Sequence, residues 1–218
     1  MSSKEKIILV GGGGHCKVVA SIIFEKNEYE IIGISDLKTE IGKEIMGIKI
    51  NYIDEQLEEL YKTGIKNAFV TVGSVGNPDL RIKLFKKLKD IGFNLPVIIS
   101  KHTIISKDVS IGEGTVIMPG VIVNPGVKIE RNCIINTGAI IEHDCIIEDN
   151  VHIAPGVTLS GGVKIGENSH IGTGTSIIQN IEIGKNVLIG AGSVVVNNIP
   201  DNTKAFGVPA KIKSVIDN

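Results

Sequence analysis

Three features of this sequence could do chemistry. The first is His143, which stands between two carboxylates in Glu142-His143-Asp144. A carboxylate beside an imidazole holds one ring nitrogen protonated, fixes the tautomer and leaves the other nitrogen basic, as a general base requires. The second is the pair His152 and His170, 18 residues apart; grouped histidines ligate metals when a third ligand joins them. The third is the run Gly11–Gly14 followed by His15 and Cys16. Consecutive glycines ahead of a helix present backbone N–H groups, which suits phosphate. No Cys or Ser is paired with a base, so no covalent acyl-enzyme is expected.

The element that must position the histidines runs from Thr103 to Asn198. In sixes it reads TIISKD VSIGEG TVIMPG VIVNPG VKIERN CIINTG AIIEHD CIIEDN VHIAPG VTLSGG VKIGEN SHIGTG TSIIQN IEIGKN VLIGAG SVVVNN, sixteen units without an insertion. The third position is aliphatic in every unit, and the sixth is Gly, Asn or Asp in every unit. A strict short period means that each unit is one step that must stack on its neighbours to bury its apolar side. The sixth position carries the residue types that tolerate φ > 0, so the chain turns a corner there. The result is an all-β left-handed parallel β-helix, a three-sided prism of roughly five coils. A β-sandwich would need turns at a spacing of about 8–12 residues and alternation of period 2, and neither is present.

The ladder assigns directions. His143 is at a fifth position beside a corner, so its side chain points away from the core; an idle surface histidine is the plain alternative. Asp144 fills a corner where Gly, Asn or Asp is needed anyway, which gives it a structural reason to be there besides a catalytic one. His152 and His170 share a second position, one coil apart on one outward face. Nine residues, half a coil, separate His143 from His152, so within one subunit they cannot converge and no metal site is expected.

Ahead of the ladder, Lys6–Val10 reads as a strand, the glycines as a turn, and the stretch from His15 as a helix. Glu30–Ser35 reads as a second strand, 37–54 as irregular, Gln56–Lys62 as a short helix and Asn67–Val72 as a third strand. Pro78 opens a helix that Gly92 stops, and Leu95–Ile99 is a last strand. Alternating strands and helices argue an α/β Rossmann-like domain over 1–100, followed by the β-helix over 101–198 and a capping segment over 199–218. The turn matches the first two glycines of a dinucleotide fingerprint and fails at the third, where Cys16 stands; Asp36 lies where a ribose-binding acid would be. A tight turn with a solvated Asp is the competing reading.

Charge and composition exclude several classes. The formal net charge is −1, which offers no basic field for nucleic acid or an anionic membrane. No apolar run reaches the roughly 18 residues of a spanning helix, and Ile7–Val10 is too short for a signal peptide. Cys133 and Cys145 occupy first positions of the repeat as small interior residues. A cytoplasmic protein without membrane insertion is expected.

GGGGHCKVV with the later ISD, then INTGAIIEHD, VHIAPGVTLSGG and FGVPAK, resemble bacterial sugar acetyltransferases of the hexapeptide-repeat family. The two related kinds are UDP-4-amino-sugar N-acetyltransferases of the bacillosamine type and sialic acid O-acetyltransferases. The resemblance implies a homotrimer, acetyl-CoA as co-substrate in a groove between neighbouring prisms, a nucleotide sugar held by the N-terminal domain, and no metal. By motif it implies that His143 is the base and Asp144 tunes it. Asn136 and His152 stand near the thioester, the Gly161 backbone donates to the thioester oxygen, and Thr173 and Ala191 line the pantetheine path. Gly13, Gly14, His15 and Asp36 hold the nucleotide sugar. Two departures stand out: Asp144 replaces a Glu, and Ser35 stands where a second Asp can occur. The glycine turn offers a diphosphate site that free sialic acid does not need, which favours N-acetylation of a UDP-4-amino sugar. Sugar O-acetylation is the alternative, and a non-catalytic scaffold or sugar-binding subunit is the alternative of a different class.

Overall fold

The structure is a computed structural model that describes residues 4–216. Its N-terminal part is built from β1 (Glu5–Val10), α1 (Gly14–Lys26), β2 (Tyr29–Ser35), β3 (Glu44–Ile45), β4 (Ile48–Tyr52), α2 (Leu57–Lys62), β5 (Asn67–Val70) and α3 (Asp79–Ile91). The sheet order is β3-β4-β2-β1-β5, parallel except for the β3–β4 hairpin. Central β1 is apolar from Ile7 to Val10 and fully covered, as expected of a strand with helices on both faces. Helix α3 ends where Gly92 takes a left-handed conformation at φ 106°, the usual stop for a helix.

Two expectations are corrected here. The stretch 37–54 is not irregular: Met46 and Gly47, with φ of 53° and 79°, turn a hairpin whose second strand, β4, joins the sheet beside β2. Charged residues alternate with isoleucines there, and the turn does not depend on a Gly-Asn or Asn-Gly signature. The strand expected over 95–99 narrows to β6 (Ile98–Ile99) and belongs to the prism, pairing with Val116–Ile117 one coil later. An apolar pair six residues ahead of the first ladder strand, Ile104–Ile105, and 18 ahead of Val116–Ile117 satisfies the prism register as well as it would an α/β sheet.

From Ile104–Ile105 to Val194–Val195, two-residue strands recur every six residues, each paired in parallel with those 18 residues before and after it. The corners follow from the sixth positions: every one from Gly114 to Gly192 has φ between 54° and 77°, whether Gly, Asn or Asp. Third-position side chains such as Ile135, Ile153, Ile171 and Ile189 fill the interior with 0% exposure. Along one edge Asn132, Asn150, Asn168, Asn186 and Asn202 stack, each amide donating to the next at 2.8–3.0 Å. Beyond the ladder, Thr203–Phe206 extends one sheet in parallel and Lys211–Val215 adds an antiparallel strand.

The three faces have different fates. Ile98, Val116 and Ile134 point outward and are buried under α1, in one cluster with Cys16, Val19 and Ile23. A second face carries Ser110, Lys128, Ile146, Lys164 and Glu182, and Lys164 pairs with Glu182. The third carries Ile104, Ile122, Ile140, Thr158, Ser176 and Val194, with Ile104 67% exposed. Removing a mid-prism interior methyl cluster, Ile153→Ala, should cost about 2–5 kcal/mol of unfolding free energy, read by chemical denaturation; a loss below about 1 kcal/mol would mean that the interior is not close-packed at that level.

Candidate active site

Fifth-position residues form the three edges of the prism. His143 follows Ile140–Ile141, and Gly161 stands one coil further along the same edge. His143 Nδ1 lies 2.8 Å from Asp144 Oδ2. With Nδ1–H donating to that carboxylate, Nε2 is the free, basic nitrogen. A Cβ at Gly161 would fall 2.6 Å from Nε2 and from Cε1 of the same ring, so only glycine lets the imidazole lie there. The Gly161 carbonyl accepts from Asn180 N at 3.0 Å, while its N–H finds no protein acceptor among the described residues. Asp144 holds φ of 62°, so it makes the corner and the imidazole contact at once. Both side chains are well exposed, at 62% and 73%, and in that state the pair contributes roughly 0–1 kcal/mol to stability; its value is orientation.

His152 and Asn136 lie elsewhere. His152 was expected to face outward, and it does, but it is buried because the N-terminal domain sits on that face. Its Nδ1 is 2.9 Å from the Ser74 carbonyl, which fixes the proton on Nδ1, and its Nε2 then accepts from Asn136 Nδ2 at 3.2 Å. Burial pushes its pKa down to about 4. The His170 ring packs edge-on against it, with centroids 4.7 Å apart. Thr173 and Ala191 are stacked on the edge that follows this face, with Gly172 closed against Ala191 N. The corner glycines beside them, Gly156, Gly174 and Gly192, face open space, leaving a smooth path of small residues.

In the N-terminal domain, Gly11 and Gly12 are glycine for packing: a Cβ on Gly12 would meet Ile50 at 2.8 Å and Asp36 Oδ2 at 2.9 Å. A Cβ at Gly13 or Gly14 would meet nothing within 4 Å, and both are exposed at the start of α1. His15 follows, its Nε2 buried and unpartnered, its pKa lowered to about 3 by burial first and then by the nearby Arg81 and His152. Asp36 accepts from Gly12 N at 2.5 Å and Leu37 N at 2.6 Å, so it fixes the turn. A cavity of about 470 Å³ opens at the carboxyl ends of β1 and β2, lined by Gly11, Ser35, Asp36, Leu37, Asp54 and Val72, the position where α/β sheets bind ligands. Ser35 donates to Asp54 Oδ1 at 2.8 Å, so a carboxylate from another loop reaches the place where a second Asp was missing. Neither Asp54 nor Ser74 carried a signal in the sequence, because both act through loops folded back from distant positions. The larger cavity, about 1050 Å³ between α2 and α3, shares only Asp54 with this group and holds none of the residues singled out from the sequence.

The sequence-derived residues therefore fall into three groups in one chain: His143, Asp144 and Gly161 on one edge; Asn136, His152, Thr173 and Ala191 around another; Gly13, Gly14, His15 and Asp36 in the N-terminal domain, which adjoins the second group through His15 and Ser74. The family described as PglD N-terminal domain matches residues 6–88, and bacterial transferase hexapeptide (six repeats) matches 108–142, 126–161 and 162–197. No curated protein matches the chain. Among solved structures, it is similar to a histidine-to-asparagine mutant of perosamine N-acetyltransferase from Caulobacter crescentus in complex with CoA and GDP-perosamine: 36% identity, 97% of this chain, 98% of that chain, TM-score 0.91. It is also similar to the acetyltransferase domain of PglB from Neisseria gonorrhoeae in complex with acetyl coenzyme A, at 35% identity, 97% and 100% coverage and TM-score 0.89. WeeI from Acinetobacter baumannii, at 24% identity and TM-score 0.76, shares the fold. The chain belongs to the bacterial hexapeptide-repeat sugar N-acetyltransferases. It is an acyltransferase.

The double duty of Asp144 separates on mutation. Asp144→Asn keeps a residue that tolerates φ > 0, so stability should hold while turnover falls, on the order of 10²-fold; Asp144→Ala should in addition cost about 1–2 kcal/mol. Equal turnover in wild type and Asp144→Asn would leave Asp144 as a corner residue only. The buried histidines predict a pH effect with a definite sign. Unfolded His15 and His152 take up protons near pH 6.5, but the folded ones do so only near 3 and 4. Stability should therefore decline as pH falls below about 6.5, and the decline in thermal midpoint should be shallower in His15→Gln.

Proposed function

We propose that this enzyme transfers an acetyl group from acetyl-CoA to the amine of a nucleotide-linked amino sugar, at a site shared between two copies of the chain. The observation that carries the reading is the arrangement of the prism faces. One face is covered by the N-terminal domain, one is charged, and the bare one is mostly aliphatic, with Thr158 and Ser176 among Ile104, Ile122, Ile140 and Val194, and is flanked by both candidate edges. Three copies closing through that face by rotation would set the His143 edge of each beside the Thr173 and Ala191 edge of the next. A heterologous contact of this kind closes into a ring. The acceptor domain of the second copy would then overlook the base of the first.

The chemistry follows from the groups present. His143 Nε2 takes the proton from the attacking amine as the new C–N bond forms. The Gly161 N–H, preorganised on the same edge, faces the oxygen that gains charge. When the C–S bond breaks, the proton held by His143 is available to the departing thiolate. Gly13 and Gly14 open the start of α1 to the diphosphate, and Thr173 and Ala191 lie along the path of the pantetheine. The solved relative was crystallised with GDP-perosamine, whereas a UDP sugar was expected from the sequence; the diphosphate and the amino sugar are the chemistry the two share. The N-acetyltransferase activity of the Caulobacter crescentus relative supports an amine over a hydroxyl acceptor, and the acetyltransferase activity of both relatives supports an enzyme over a scaffold.

His143→Ala should lower turnover by about 10²–10⁴-fold with the fold intact. Mixing that variant with His15→Ala, after joint unfolding and reassembly, tests the shared site. Each hybrid three-membered ring should recover one of its three sites, about one quarter of all sites in a random equal mixture, where an intact His143 meets an intact His15 from the next copy. No recovery, with mixed rings confirmed by mass spectrometry, would place the whole site in a single chain.

A further inference from the structure

Arg81 is the only Lys, Arg, Asp or Glu buried among the described residues, at 1% exposure, and the reaction above does not use it. Its guanidinium donates only to backbone carbonyls. Nη1 bonds Val70 O and Val72 O, both at 2.9 Å, where β5 runs into the 71–77 loop. Nη2 bonds Gly114 O at 3.1 Å and Nε bonds Asn132 O at 3.2 Å, both corner residues of the prism. One planar fork thus ties both domains together, at corners where α3 shuts out water. The loop it holds touches both halves of the site. Thr71 Oγ1 donates to the Gly11 carbonyl at 2.5 Å, a Cβ at Gly73 would fall 3.9 Å from His15 Cβ, and Ser74 O accepts from His152 Nδ1–H at 2.9 Å.

We propose that Arg81 is a positioning residue for acetyl transfer: it fixes the 71–77 loop, and with it the glycine turn, at one place on the prism, so that the bound acceptor meets the base at reacting distance. This rests on the transfer reaction proposed above. Lysine is a point donor on a flexible stem and cannot span carbonyls of two domains. In full-length Arg81→Lys, assembly and acetyl-CoA affinity should stay within about twofold of wild type. The acceptor kcat/KM should fall on the order of 10²-fold, the scale of a misplacement of about 1 Å. The imidazole 15N shifts of His152 should also change as its bond to Ser74 loosens.

Wild-type kinetics in Arg81→Lys with unchanged His152 shifts would overturn the proposal, as would a parallel loss of acetyl-CoA and acceptor affinity that tracks the melting temperature. If Arg81→Lys does not assemble, a glycine inserted between Gly73 and Ser74 decouples the same loop while leaving the guanidinium in place. Selective loss of acceptor use supports the proposal there, and unaltered acceptor kinetics rejects it. A wild-type enzyme inactive on nucleotide amino sugars would sink the reaction, and the His152 shifts in Arg81→Lys would still decide whether Arg81 sets the contact.

Discussion

Everything in this molecule depends on a corner taken every sixth residue. An L-residue at φ near +60° costs roughly 1–2 kcal/mol unless it is Gly, or Asn or Asp with a local hydrogen bond, and the chain meets that condition at every corner from Gly114 to Gly192. Once the corners are fixed, the third position has nowhere to go but inward, and 18 residues return the chain to the same edge one strand spacing higher. The asparagine stack along one edge shows how polar corner side chains satisfy one another instead of depending on solvent. The geometry of the His143 edge inherits this regularity. His143 meets Gly161 because the two are one coil apart on the same edge, not because any loop was shaped around them.

Regularity also imposes a limit. Residues half a coil apart stand on different parts of the prism, and no side-chain motion brings His143 to His152 within one chain. Bringing the His143 edge and His152 together in one chain would need a break in the ladder, and the ladder has none. The three faces differ: one accepts a second domain, one is solvated, and one is left mostly aliphatic. The second domain is held by burial of α1 against outward-pointing isoleucines and by a guanidinium that would be costly to bury without its four carbonyls. That seam carries the unusual electrostatics of the protein, with neutral His15 and His152 beside a buried cation.

Legibility was uneven, for physical reasons. The prism could be read because its information is local and repeated sixteen times. The direction of His143 and the two meanings of Asp144 came from the same register, and the structure shows the carboxylate making the corner and bonding the imidazole together. The burial of His152 is not legible in the register, because outward from the prism is not outward from the molecule once another domain covers that face. The β3–β4 hairpin is not legible either, because its turn, Met46-Gly47, carries no standard signature and its strands are short. Asp54, Ser74 and Arg81 gave no signal: each matters through contacts with carbonyls or hydroxyls tens of residues away.

By itself, the sequence determined the coil, its inward residues, its corners and the two stretches bearing chemistry, since each of these is set by a residue and its neighbours within one period. It determined that His143 has a carboxylate beside it and that the glycine turn opens a helix. Only the tertiary structure decided which prism face the N-terminal domain covers, and hence that His152 is dry and neutral while His143 stays in water. It also decided that Ser74 sets the His152 tautomer and that Arg81 joins the domains. These are contacts between backbone groups and side chains far apart in the chain, and backbone carbonyls look alike in every sequence; only folding shows which of them are buried and need a donor.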